Sequence, residues 1–198
     1  MQSATSSQLG LTHRTGSLQE SLSGKVILTV AASAFVAVCA HISLPLPFTP
    51  VPLTLQNFAV ILIGMLLGPV AGFSAMVLYL AEGAMGLPVF TPHSIGGIAH
   101  LLGPNAGYLF SYPLAAATAG WAVRAMQRIT TPFRAGLAAA TLASAPIFIL
   151  GAGWLAHLLH TSAAATWTMA IAPFLPGEVV KITAAAGIFS SIKRWRQS

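Results

Sequence analysis

The sequence predicts an all-α integral membrane protein with six transmembrane helices and both termini on the cytoplasmic side. Three observations predict it. The chain is 56% hydrophobic and only 6% charged over 198 residues, with a mean hydropathy of +0.79. A soluble domain carries about 25% charged residues, so this chain cannot clothe a water-facing surface. Apolar runs of near-membrane length recur along it, separated by Pro, Gly and polar clusters. With six crossings, eight of the nine Lys and Arg residues also fall on one face. Arg14 and Lys25 precede the first run, Arg124, Arg128 and Arg134 lie between the fourth and fifth, and Lys193, Arg194 and Arg196 follow the sixth. The positive-inside rule makes that face cytoplasmic. The net charge of +6 therefore reports topology, and no clustered patch invites nucleic acid.

Residues 1–24 are rich in Ser, Thr, Gln and Gly and read as a mobile polar tail. They hold no apolar core and no small-residue cleavage site, so the segment is not expected to act as a signal peptide. Residues 25–198 are expected to form a single six-helix membrane domain. The first run extends from Val26 to about Ser43, with Thr29, Ser33 and Ala37 at i, i+4 and i+8. That small-residue ridge suits either close packing within the chain or docking of a partner subunit. Cys39 is the single cysteine, so no disulfide can form within the chain; its place in an apolar run reads as a small buried residue.

Residues 44–52, Leu-Pro-Leu-Pro-Phe-Thr-Pro-Val-Pro, contain four prolines that forbid a helix and favour polyproline-like extension. The segment is also apolar, and reads as a lid over something. The second run spans Leu53 to Leu67, with Gln56 and Asn57 in its first turn. Gly68-Pro69 must then form a tight turn into the third run, Val70 to about Gly86, which carries Tyr79 and Glu82. A Gly/Pro/His-rich loop follows from Leu87 to Gly103. The fourth run opens after Gly-Pro-Asn-Ala-Gly-Tyr (103–108) and ends near Val123; the fifth extends from about Gly136 to Leu159. Thr161 to Ala172 is weakly polar, and the sixth run goes from Pro176 to Ile192.

The polar residues concentrate on the outer face. Pro176 is suited to a first helical turn, which puts Glu178 and Lys181 on one face at i and i+3. Ionisable residues inside a membrane are costly and point to function, and a helix N-terminus favours anionic groups. The pair could also simply neutralise itself. Glu82 reads as a pocket residue or as an end residue snorkelling outward. Gln56 and Asn57 either satisfy the lid backbone or offer donors and acceptors to a ligand. His157 and His160 have a metal-compatible spacing but no further ligand nearby, so no metal is expected; His41, His93 and His100 read as loop or interface residues. No HExxH, P-loop or GxSxG occurs, so no catalytic residue is expected and any ATP-driven step needs a partner.

Five stretches resemble a known family: residues 44–56 (LPLPFTPVPLTLQ), 67–69 (LGP), 79–90 (YLAEGAMGLPVF), 102–109 (LGPNAGYL) and 173–181 (PFLPGEVVK). In this order they resemble the BioY family, the biotin-specific substrate-binding S components of energy-coupling factor (ECF) transporters, over roughly residues 25 to 195. The resemblance implies a six-helix S-component fold with an outward-facing biotin site, in the inner membrane of a bacterial cell. It implies biotin as transported ligand rather than cofactor, and as partners a membrane T component and a pair of cytoplasmic ATP-binding-cassette ATPases. The family's last motif usually reads Pro-Gly-Asp-x-x-Lys, whose acid and lysine contact biotin; here Glu178 and Lys181 take those places. Gly-Pro-Thr-Gly-Gly-Tyr appears as Gly-Pro-Asn-Ala-Gly-Tyr, and the family's substrate-facing amide has Asn105 and Gln56 as candidates. Phe48, Phe90, Tyr108 and Trp167 are candidate apolar walls. An S component for another vitamin, or an ion-coupled carrier using Glu82 and Glu178 as proton sites, are the alternatives.

Overall fold

The computed structural model describes residues 22–92 and 96–196, and its architecture is helical. Helix α1 (Leu22–His41) begins three residues before Lys25, inside the segment expected to be tail; the remainder of that tail lies outside the described residues, as does His93. A two-stranded antiparallel ribbon follows, β1 (Ser43–Leu44) paired with β2 (Leu53–Thr54). The proline-rich segment is thus the tip of a short hairpin, not a free polyproline strand. Prolines cannot donate to a ladder, which limits the pairing to the two residues at each end.

Helices α2 (Gln56–Leu67) and α3 (Pro69–Ala84) meet at Gly68, whose φ of 89° only glycine adopts without strain. Pro69 then starts α3 at the one helical position where its missing N–H costs nothing. The arms of this turn touch near its vertex, since a Cβ on Gly72 would meet the Gly64 Cα at 3.1 Å. A short α4 (Ile98–Leu101) interrupts the 87–103 loop. Helices α5 (Ala106–Met126) and α6 (Pro132–Leu159) follow; α6 starts at Pro132, a turn before the expected Gly136. The weakly polar interval is not a loop. It forms α7 (Ala163–Thr166), a π turn (Trp167–Ile171) and a 3-10 turn (Ala172–Phe174), and runs directly into α8 (Leu175–Trp195).

Helix α5 packs on α6, α3 and α2, and α8 on α6 and α2. Alanines such as Ala115, Ala116, Ala119, Ala139, Ala140 and Ala143 of α5 and α6 are fully buried. Small side chains let helix backbones approach closely where lipid removes the hydrophobic drive between helices. Large apolar residues face outward: Val26, Val70, Trp121, Ile149 and Val179 are all more than half exposed. Three helical stretches are long and apolar enough to cross a membrane: Leu22–His41, Pro132–Leu159 and Ala163–Trp195. The chain is a membrane protein whose apolar faces meet lipid. On α1 the small-residue ridge is buried at Ser33 and half-buried at Thr29 and Ala37. Ser33 is fully buried and donates to the Glu82 carboxylate, while Cys39 is buried in the core.

Candidate functional site

Helix α8 starts without a side-chain cap, with Pro176 in its first turn. This places Glu178 and Lys181 at 2% and 6% exposure, one turn apart, on a helix packed against α2 and α6. Lys181 Nζ lies 3.5 Å from Glu178 Oε2. The carboxylate has two further partners. Ser144 Oγ of α6 donates to Oε1 at 2.8 Å, and Asn57 Nδ2 of α2 donates to Oε2 at 3.3 Å. Both carboxylate oxygens are engaged, which is what a charge at this depth requires. Lys181 is less saturated: among the described residues its ammonium has Glu178 as sole partner, leaving donors for a ligand.

A tyrosine layer extends the cluster. Tyr112 Oη of α5 lies 3.2 Å from Asn57 Oδ1 and 3.4 Å from Gln56 Oε1. Gln56 Nε2 donates to Tyr79 Oη at 2.6 Å, and Tyr79 donates onward to the Val89 carbonyl at 3.0 Å. Thr54 of β2 donates to Gln56 Oε1 at 3.1 Å, tying the hairpin base to the network. Tyr108 donates to the Ala170 carbonyl at 2.7 Å and so fixes the π turn against α5.

Of these groups, Lys181, Thr54, Gln56, Asn57, Tyr108 and Tyr112 line an inner cavity, together with Asn105, Val51, Pro52, Thr91, His100, Leu109, Phe148 and Phe174. The space left is about 30 Å³, room for about two waters at ~10–15 Å³ each. A wider outer cleft of about 490 Å³ lies between the hairpin loop and residues 91–105. That is within the ~300–1,000 Å³ usual for small-molecule sites. The two share Pro52, Thr91, His100 and Asn105. At this junction the Asn105 Oδ1 is buried and has no hydrogen-bond partner among the described residues. An orphaned buried acceptor costs about 1–3 kcal/mol, and a ligand donor would relieve it.

The expected site residues divide into two groups. Lys181, Gln56, Asn105 and Tyr108 line the inner cavity, and Glu178 lies directly behind Lys181. Phe90 is buried one layer out, seated on Gly83, edge-on to Tyr79 and stacked on His100 at 4.7 Å. Phe48 and Trp167 are more than half exposed and line neither space. Glu82 faces Ser33 between α1 and α3 and is not part of the cavity. Tyr112, Ser144 and Asn57 complete the cluster. Tyr112 had a sequence signal: Asn105, Tyr108, Leu109 and Tyr112 repeat at i, i+3, i+4 and i+7, one helical face.

His100 offers a pH test. Burial against Phe90 holds its pKa below the ordinary 6.5, so the ring is neutral at pH 7. The unfolded chain then binds more protons than the folded one just below that value, and stability falls as pH drops. The expected result is a melting temperature flat above pH 6.5 that declines in acid, with the decline reduced in His100→Gln. Identical profiles for the two proteins would remove His100 from this role.

Similarity to known proteins follows the same residues. The family model described as "BioY family" matches residues 10–198. The chain is 36% identical over 161 residues to a protein of Pyrococcus horikoshii called "Probable biotin transporter BioY", covering 81% of this chain and 91% of that one. It is 35% identical over 162 residues to "Biotin transporter BioY" of Thermotoga maritima, covering 82% and 91%. It is 33% identical over 180 residues to the Rhodobacter capsulatus protein of that name, covering 87% and 94%. Among solved structures it matches the S-component for biotin from an ECF-type ABC transporter, with a TM-score of 0.77 and 24% identity over 86% of this chain and 90% of the other. The fold is that of an S component, and the chain belongs to the BioY family.

Proposed function

We infer that the protein captures biotin in this cleft and delivers it across the cell membrane as the substrate-binding subunit of an ECF-type transporter. It is a carrier of a vitamin, not an enzyme. The six longer helices α1, α2, α3, α5, α6 and α8 make six crossings, with both termini and the Arg-rich 124–134 segment cytoplasmic. Helix α2 is short for a bilayer, and the hairpin above it completes that crossing. A membrane T component and two ATP-binding-cassette ATPases supply the energy, since the chain has no P-loop of its own.

The observation that carries this reading is the buried Lys181–Glu178 pair at the floor of a largely apolar cleft, in a chain of this family. Biotin matches the floor chemically. Its ureido ring has two N–H donors and one strong acceptor, beside a thioether ring and an apolar chain ending in a carboxylate. Asn105 Oδ1 is a free acceptor for an N–H, and Lys181 donates to the ureido carbonyl or to the carboxylate. Glu178, with both oxygens engaged, holds Lys181 and Asn57 towards the ligand. Tyr108, Phe148 and Phe174 supply apolar wall. Ligand entry parts the 44–53 hairpin, and closure buries the charge-assisted bonds that discriminate against analogues lacking the matching groups.

Biotin binding by the purified chain tests the reading. The expected result is saturable binding that excess thiamine and riboflavin do not compete. Competition by either vitamin with no response to biotin would select an S component of other specificity. Biotin uptake that survives loss of ATP but collapses with the proton gradient would select an ion-coupled carrier. The location of Glu82 outside the cleft counts against that carrier.

A further inference from the structure

A second concavity lies at the other end of α2 from the vitamin cleft, roughly 17 Å along the axis from Gln56 to Leu67. It encloses about 210 Å³ beneath the Gly68 turn, and Arg124, Lys193 and Arg196 line it together. Arg124 lies over the turn itself, with its guanidinium where a Gly68 side chain would be. Two acidic residues occur among the described residues, and neither reaches here. Glu178 is paired with Lys181, and Glu82 sits roughly 20 Å up α3 from Pro69, against Ser33. Helices α2, α5 and α8 end nearby, and each C-terminus contributes about half a negative charge. Three such ends offset only about half of three full cations, and the N-terminus of α3 adds positive potential. The concavity therefore favours an anion.

An adjoining groove identifies the anion's source. It shares Leu67 and Arg124 with the cationic concavity and runs between α1 and α3 past Leu28, Val70 and Ala71, with Lys25 on its rim. A chain of carbon fits that surface better than water does. Trp121 and Trp195, 64% and 81% exposed, stand on α5 and α8 near this end, where tryptophan marks the headgroup level of a bilayer. We propose that this is a binding site for an anionic phospholipid, its phosphate among Arg124, Lys193 and Arg196 and an acyl chain in the α1–α3 groove.

Native mass spectrometry of the full chain tests it, with phosphatidylglycerol or phosphatidylcholine added to the detergent-purified protein and inorganic phosphate as a soluble competitor. Phosphatidylglycerol is expected to remain bound where phosphatidylcholine does not. The double variant Lys193→Gln/Arg196→Gln is expected to lower that retention about thirtyfold, while biotin binding, which uses the opposite end, stays as in the wild type and certifies the fold. Because biotin is read separately, failure of the lipid site and failure of the vitamin site are distinguishable. Equal retention of both lipids overturns the proposal. So does displacement of the lipid by inorganic phosphate, which would make this a soluble-anion site. Wild-type lipid retention in the double variant with lost capture of partner subunits also overturns it, by assigning the cations to protein docking.

Discussion

Glu178→Ala is expected to abolish biotin binding and to destabilise the protein, while Glu178→Leu/Lys181→Met recovers the stability but not the binding. Removing the carboxylate leaves Lys181, 6% exposed, without its one charged partner among the described residues. Breaking a buried ion pair from one side costs about 3–5 kcal/mol, because the remaining charge stays desolvated and unpaired. Ser144 Oγ and Asn57 Nδ2 lose an acceptor in the same step. Asn57 also binds Tyr112, so the disturbance spreads along the cavity lining. Replacing both charges by apolar groups of similar volume removes the desolvation problem, and such swaps are often neutral or stabilising. The double variant should therefore melt near the wild type yet lack the charged donor for the ureido carbonyl or the carboxylate. Glu178→Gln keeps the shape but loses the charge that orients Lys181, and should fall between. Glu178→Asp keeps the charge and should be the mildest. Thermal melts in detergent, paired with biotin titration, give the two readouts. A double variant that still binds biotin as the wild type does would remove the pair from the site.

Much of this was legible in the sequence, and the failures have physical reasons. The Glu178–Lys181 pair could be read because both partners lie on one helical turn, where spacing fixes the face. Gly68-Pro69 could be read because a turn between two apolar runs admits few residue types. Asn105 and Tyr108 stood out beside a Gly-Pro start, and extending their helical face by one turn gives Tyr112. Ser144 carried no local signal. It is one small hydroxyl in a long alanine-rich helix, and its partner Glu178 is 34 residues away. The Asn57–Glu178 contact spans 121 residues and depends on how α2 leans on α8. The hairpin was hidden because two-residue strands are too short to show alternation. Phe48 looked like a wall residue because it is aromatic and lies in the lid, but it is exposed at the hairpin tip. Glu82 looked like a site residue because carboxylates are rare here; its actual partner, Ser33, lies 49 positions earlier on α1.

The second large effect belongs to Gly120, outside the vitamin cleft. A Cβ there would lie 2.5 Å from the Gly68 carbonyl carbon and from the Pro69 nitrogen, and 2.6 Å from the Gly64 oxygen. All three are backbone atoms at the α2–α3 vertex, so no side chain can swing away. Ordinary carbon contacts begin near 3.4 Å, so α5 would have to retreat by about 1 Å in a close-packed interior that resists such shifts. In a helix, Gly→Ala by itself gains about 1 kcal/mol of propensity. Overpacking costs about 1–3 kcal/mol, and more where the backbone must move. The clash decides the sign, and Gly120→Ala is expected to lower the melting temperature. The displacement should also reach the vitamin cleft. Helix α5 carries Tyr108 and Tyr112, with Asn105 at its start, and α2 carries Gln56 and Asn57, so separating the two helices misaligns both walls at once. Biotin affinity should fall although no cleft residue has changed. Gly187→Ala is the control, since a Cβ on that α8 glycine meets nothing within 4 Å and should leave the melt unchanged or raise it. Equal melting temperatures for the two variants would show that the α5 contact with the Gly68 vertex does not set the geometry of the cleft.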